Sequence, residues 1–253
     1  MVGDIILQEK LVDKVNAYFS QPQGSGYLTR SDNIRIRVET VRAWLGGRAA
    51  ENILDIGCGD GSISAPLLRG DNSLTLLDNS EYMLSIARDR ITEDLRNNVR
   101  LIQEDFIGAD LPKASFDAIL CLGVLAHVAS PKAVIERICS LLKPGGEVIV
   151  QVSDYTHPVG RILEMYYRLR DLIKPPTYRL NRVSVEQIIR EFRTHGLAVR
   201  SRYRYNMAPP GMCRVLSPER VYKFNRLMYG DTGYNRNAWL GSENIFRFAI
   251  PSR

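Results

Sequence analysis

Apolar positions along the 253-residue chain follow two rhythms. In the first nineteen residues, Ile5, Ile6, Leu11, Val12, Val15 and Phe19 can share one helical face. The stretch Gln21-Pro22-Gln23-Gly24-Ser25-Gly26 interrupts that pattern. A second helix is predicted from about Asp32 to Leu45, with Ile34, Ile36, Val38, Val41 and Leu45 apolar and Gly46-Gly47 ending it. From residue 52 short apolar runs alternate with helical stretches. Ile53–Ile56, Ser73–Leu77, Val99–Ile102, Phe116–Leu122 and Glu147–Val152 read as five buried strands. Ser80 caps a helix carrying Met83, Leu84 and Ala87. Ser130-Pro131 opens another, with Val134, Ile135, Ile138, Leu141 and Leu142 on one face, and Lys143-Pro144-Gly145-Gly146 turns the chain back. Strands alternating with helices predict an α/β fold on a mostly parallel sheet covered on both faces.

Beyond residue 153 the rhythm loosens. A helix is predicted over Val159–Ile173, and Ser184 with Gln187 forms a capping box for a helix burying Val185, Ile188, Ile189 and Phe192 and ending at Gly196. Leu197–Tyr205 alternates like a strand, and a long connection, about 206–241, leads to a last strand near Asn244–Ile250. Arg200, Arg202 and Arg204 project from one side of the first of these strands, Tyr203 and Tyr205 from the other.

Composition narrows the classes. Apolar residues are 45% of the chain, enough for an ordinary core, yet the longest apolar run, Ala118–Ala126, is too short to cross a bilayer. The N-terminus lacks a signal-peptide pattern, and Cys58, Cys121, Cys139 and Cys213 form neither a disulfide framework nor, with three histidines, a metal site, so a cytoplasmic setting is expected. Residues 1–152 carry 16 basic and 20 acidic side chains; residues 153–253 carry 18 and 8. The basic third is either a solvated face or a surface that meets an anion, such as an acidic or phosphorylated small molecule, or nucleic acid.

The chemistry concentrates at Asp55-Ile56-Gly57-Cys58-Gly59-Asp60-Gly61, between a strand and an expected helix near Ser62. Glycines there let backbone amides approach a ligand, and the helix would aim its free N–H groups at the same place. Asp55 would repel a pyrophosphate but suits an ammonium or a sulfonium. Asp78, ending the second strand, can accept two ribose hydroxyls. Asp105-Phe106, after the third, is placed to bind an exocyclic amine and stack on a purine. Three carboxylates at successive strand ends describe a site for a nucleoside bearing a cationic amino acid.

With these residues in hand, Asn52–Ser153 resembles the class I S-adenosylmethionine-dependent methyltransferases. The match runs through Asp55-x-Gly57-x-Gly59-x-Gly61, Asp78 with Asn79 and Met83, Asp105-Phe106, Phe116-Asp117-Ala118 through His127, and the Leu142–Gly146 turn. The resemblance implies S-adenosylmethionine as cofactor, a Rossmann-like seven-stranded sheet with the last strand antiparallel, and an N-terminal helical lid, residues 1–47. The methyltransferase domain would occupy 48–253, with a helical insertion at about 154–182. It implies cofactor contacts from Gly57, Cys58, Gly59, Leu122 and, from the lid, Tyr27 and Arg30.

A sulfonium is already an activated methyl donor, so such an enzyme chiefly positions the acceptor and excludes water. His127, just past the fourth strand, is the candidate general base, with a packed, backbone-bonded histidine as the alternative. Tyr18, Tyr155 and His157 are candidates for the acceptor pocket. Methyl transfer to a small-molecule acceptor, with an anionic acceptor among the candidates, is the leading reading. An RNA or protein acceptor is the alternative, although no separate nucleic-acid module and no Asn/Asp-Pro-Pro-Tyr/Phe signature follow the fourth strand. From other classes come a nicotinamide-dependent oxidoreductase, against which Ser62 and Asp55 argue, and a non-catalytic partner subunit.

Overall fold

The computed structural model describes residues 32–46, 51–154, 158–173, 183–206 and 216–251; the expected first helix, Tyr18, Tyr27, Arg30, Tyr155 and His157 lie outside them. Seven strands form one sheet: β1 (Asn52–Ile56), β2 (Ser73–Asp78), β3 (Val99–Gln103), β4 (Phe116–Cys121), β5 (Leu142–Ser153), β6 (Ala198–Tyr205) and β7 (Glu243–Ala249), in the spatial order β3-β2-β1-β4-β5-β7-β6. β1 pairs in parallel with β2 and β4, β2 with β3, and β4 with β5, while β7 runs antiparallel to β5 and β6. The expected mostly parallel, seven-stranded architecture with an antiparallel last strand is what the chain adopts.

Alternation along each strand separates two cores. Leu54, Ile56, Ile119, Cys121, Val148 and Val150 face α3 (Pro131–Leu141) and α5 (Val185–Thr194). Ile53, Leu74, Leu76, Ala118, Leu120 and Ile149 face α1 (Asp32–Leu45), α2 (Glu81–Asp89) and α6 (Pro218–Tyr229). The central strands are buried on both faces, as a parallel sheet between helices requires. Ser80 and Ser130 cap their helices as predicted, accepting from Met83 N and Ala133 N. Helix α4 spans Pro158–Ile173.

Several expectations change. The helix expected near Ser62 is a turn followed by a three-residue 3₁₀ helix, Ala65–Leu67. Pro66 removes a donor, and Asn72 then engages both Arg69 N and Leu67 O, closing the chain before another turn can form. At Ser184 the hydroxyl accepts from Gln187 N at 3.4 Å but donates to Glu186 at 2.7 Å, so the cap involves a different acid from the capping-box pattern. β5 starts at Leu142: Phe116 pairs with Leu142 and Ala118 with Glu147, which leaves the Lys143–Gly146 turn bulged out within the strand. The long connection contains α6, which buries Val221, Asn225 and Tyr229. In α1 the buried face is Ile36, Thr40, Val41, Trp44 and Leu45, while Ile34 and Val38 are only partly covered. This helix is docked through Glu39, which accepts from Tyr222 Oη at 2.8 Å and pairs with Arg226 of α6.

Candidate active site

The adjacency β3-β2-β1 places Asp105, Asp78 and Asp55 at neighbouring strand ends on one edge of the sheet. Their burial is graded. Asp105 is exposed, its Oδ1 accepting from Ile107 N at 2.9 Å. Asp78 is half-buried, accepting from Gly59 N on Oδ2 at 2.8 Å and from Ser80 N on Oδ1 at 2.9 Å. It thereby ties the glycine turn to the start of α2, and each oxygen keeps a lone pair for a further donor. Burial raises its pKa against those two amide bonds. Asp55 is 3% exposed, and its Oδ2 has no hydrogen-bond partner among the described residues. Burial pushes its pKa up to about 7, with the charge of Asp78 adding to the effect.

The glycine turn is held open by conformation. Gly57, Gly59 and Gly61 all have positive φ, and a Cβ on Gly57 would lie 2.7 Å from Val124 Cγ2 in the loop after β4. At this position the glycine makes room for a neighbouring loop. Cys58 N bonds Leu77 O at 3.1 Å, and burial raises the Cys58 thiol well above its ordinary pKa, consistent with a space-filling role. With no α-helix following, the amides here are directed by the turn alone. Asn79 is half-buried, Met83 is buried with its N–H bonded to Ser80 Oγ, and Leu122 is buried in the core beneath α1. Phe106 is also buried, in the opposite core with the Arg137 guanidinium 5.5 Å from its ring centre, so the side chain expected to stack on a purine is directed inward.

His127 is half-buried after β4. Burial and the nearby Arg37 charge lower its pKa to about 4, so the ring is neutral at physiological pH. Arg37, on α1, was not singled out by the sequence pattern. Its Nη1 lies 3.5 Å from the position a Cβ on Gly123 would take, and its Nε is buried without a partner among the described residues. It is one of several charged residues in this helix, with Arg35, Glu39 and Arg42, so its residue type alone gave no signal. A cleft opens alongside, lined by Gly123, Leu125 and Ala126 after β4, Gln151–Ser153 of β5, and Val183 before α5. The arginine row of β6 is engaged within the fold. Arg202 bonds Asn244 Oδ1, Arg204 bonds Gly241 O and pairs with Asp154 at 3.2 Å, and Arg200 bonds Ile250 O.

The family described as "Methyltransferase domain" matches residues 48–187, more than half of the chain. A ubiquinone biosynthesis O-methyltransferase of Stutzerimonas stutzeri is 37% identical over 101 residues, 40% of this chain and 43% of that protein. The chain thus spans about half the length, or less, of the curated relatives it matches. Among solved structures, a SAM-dependent methyltransferase of Thermotoga maritima superposes with a TM-score of 0.64 at 19% identity, over 96% of this chain and 99% of that one. Magnesium protoporphyrin IX methyltransferase of Synechocystis PCC 6803, crystallised with S-adenosylhomocysteine, gives 0.64 at 18% identity, over 94% and 98%. Both likenesses are of fold.

Proposed function

The chain belongs to the methyltransferase domain family, and on that premise we propose that it transfers a methyl group from S-adenosylmethionine to the oxygen of a small-molecule acceptor. The observation that carries the reading is the buried Asp55 Oδ2 without a donor, beside Asp78 with lone pairs to spare, at the end of a side-chain-free turn. An ammonium satisfies the first carboxylate and ribose hydroxyls the second. Arg37 supplies the guanidinium for the carboxylate of the same amino-acid moiety, and Asp105 reaches the base from the exposed end of the row. The cofactor, when bound, supplies an electrophilic methyl group. In the same reading Tyr27 and Arg30 belong to the cofactor site, and Tyr18, Tyr155 and His157 to the acceptor pocket; residues 1–47 cover the domain formed by 48–253.

The protein's part in the reaction is to hold the acceptor hydroxyl in line and dry. In this reading His127, neutral above about pH 4, takes the hydroxyl proton as the oxygen attacks. The relatives named for O-methyl transfer support oxygen as the attacking atom. The β6 arginines have internal partners, so the row does not by itself support the acidic or phosphorylated acceptor anticipated from the basic third. Among the described residues no helix is long and apolar enough to cross a membrane, and the reading sets the enzyme in the cytoplasm.

The test is calorimetric titration with S-adenosylhomocysteine. Asp78→Ala is expected to weaken binding by about thirtyfold, the loss of two ribose hydrogen bonds of about 1 kcal/mol each. Unaltered affinity in the folded variant would remove the cofactor assignment.

A further inference from the structure

Gln151 interrupts the apolar run Val148–Val152 and is 5% exposed. Its Nε2 donates to Glu243 Oε2 at 2.8 Å, and the same carboxyl accepts from Ser153 Oγ at 2.9 and 3.0 Å. With Glu243 ionised, that partnership fixes the amide's orientation, since reversing it would set Oε1 against a carboxylate oxygen and discard the bond; burial raises the Glu243 pKa, and the bonds from Gln151 and Ser153 and the charge of Arg37 oppose that rise. Oε1 is therefore the unpaired end, and it is buried with no hydrogen-bond partner among the described residues. Buried carbonyls without donors are rare in folded proteins, and each calls for a group that completes it. Gln151 lines the cleft between the ends of β4 and β5, whose other walls include Leu125, Ala126, Val152 and Val183.

Resting on the methyltransferase reading above, we infer that Gln151 Oε1 is the hydrogen-bond acceptor that seats the methyl-accepting substrate, and that this substrate is an uncharged, largely apolar molecule presenting a hydroxyl or N–H. An ionised carboxylate or phosphate entering this cleft would meet a bare carbonyl oxygen with the Glu243 carboxyl behind it. Arg37, whose guanidinium lies beside Gly123 in the cleft wall, is already assigned to the cofactor. The donor demanded by Gln151 need not be the reacting group. A hydroxyl that pairs with Oε1 orients the molecule, while the attacking oxygen stands toward His127.

Ligand-observed NMR on the full chain loaded with S-adenosylhomocysteine tests this with three probes of similar shape: 4-ethylphenol, its methyl ether 4-ethylanisole, and 4-hydroxybenzoate. The phenol is expected to bind about tenfold more tightly than the ether or the benzoate, the loss expected of one hydrogen bond to a buried acceptor. In Gln151→Met its affinity should fall by about tenfold while that for S-adenosylhomocysteine stays within about twofold. Equal binding of phenol and ether, tighter binding of the benzoate, or no saturable binding of the phenol overturns the inference. So does an unchanged phenol affinity, or a lost cofactor-product affinity, in the folded variant. If Gln151→Met does not fold, the wild-type ranking decides. A wild-type protein that fails to bind S-adenosylhomocysteine removes the underlying reading itself, an outcome distinguishable from selectivity failing on a loaded protein.

Discussion

At Gly57 two constraints meet. The backbone is in the left-handed region at φ 61°, and a Cβ would overlap Val124. Gly57→Ala is expected to lower stability by about 2 kcal/mol or more, read from denaturant midpoints. Adding Val124→Ala should recover part of that loss; no recovery would show that backbone strain alone sets the cost. The glycine was legible in the sequence because its residue type is the constraint. Gln151 was not: one glutamine in an apolar run reads as strand, and only its fixed bond to Glu243, 92 residues away, gives its oxygen a direction. Phe106 shows the reverse error, since an aromatic beside a binding carboxylate carries no mark of the face it will take.

The elements that define the edge of the sheet follow local rules, and the expectations failed where a side chain diverted backbone bonds or a tertiary partner intervened. The strands and the Ser80 and Ser130 caps form from short-range pattern. The helix after the glycine turn does not form, because Pro66 and Asn72 divert its hydrogen bonds. Helix α6 escaped notice because its buried line, Val221, Asn225 and Tyr229, includes a polar residue that bonds Val221 O within the helix and accepts from Asn206 N, a partner set by folding. That helix anchors α1, which carries Arg37. Arg226 pairs with Glu39 while also bonding Tyr203 Oη at 3.1 Å and Gly230 O at 3.0 Å. Arg226→Met should therefore destabilise the fold by about 2 kcal/mol and loosen α1, since it strands several partners at once. Faster amide hydrogen exchange over residues 36–45 than in wild type is the expected signature; uniform exchange across the chain would separate α1 from this anchor.

On the scale of the whole molecule, burial is what gives the carboxylates their character. Asp55 and Asp78 share a poorly solvated strand edge, and Asp55 is pushed up to about 7. A carboxyl with a raised pKa is ionised only above that value. The fold thus loses stability as pH climbs from the ordinary carboxylate range to about 7, and regains it where a cationic group neutralises the site. Binding of S-adenosylhomocysteine should accordingly weaken by about tenfold between pH 8 and pH 6, as Asp55 takes up a proton that the ligand's ammonium must displace. Calorimetry in two buffers of different ionisation enthalpy would show the proton release at pH 6. His127 moves the other way, to about 4, and remains a base throughout that interval, so the expected loss belongs to binding and not to proton abstraction.

The sequence by itself determined the strand and helix alternation, the glycine turn, and the acids at three strand ends, because each depends on periodicity or on one residue type's intrinsic freedom. Tertiary structure alone decided which of those groups are short of partners. Pairing of β1 with β2 and β4 encloses Asp55, pairing of β5 with β4 and β7 encloses Gln151, and packing of α1 covers Arg37, leaving Asp55 Oδ2, Gln151 Oε1 and Arg37 Nε buried and unpaired among the described residues. Desolvation is a property of everything that surrounds an atom, drawn from all along the chain, and no local run of letters encodes it.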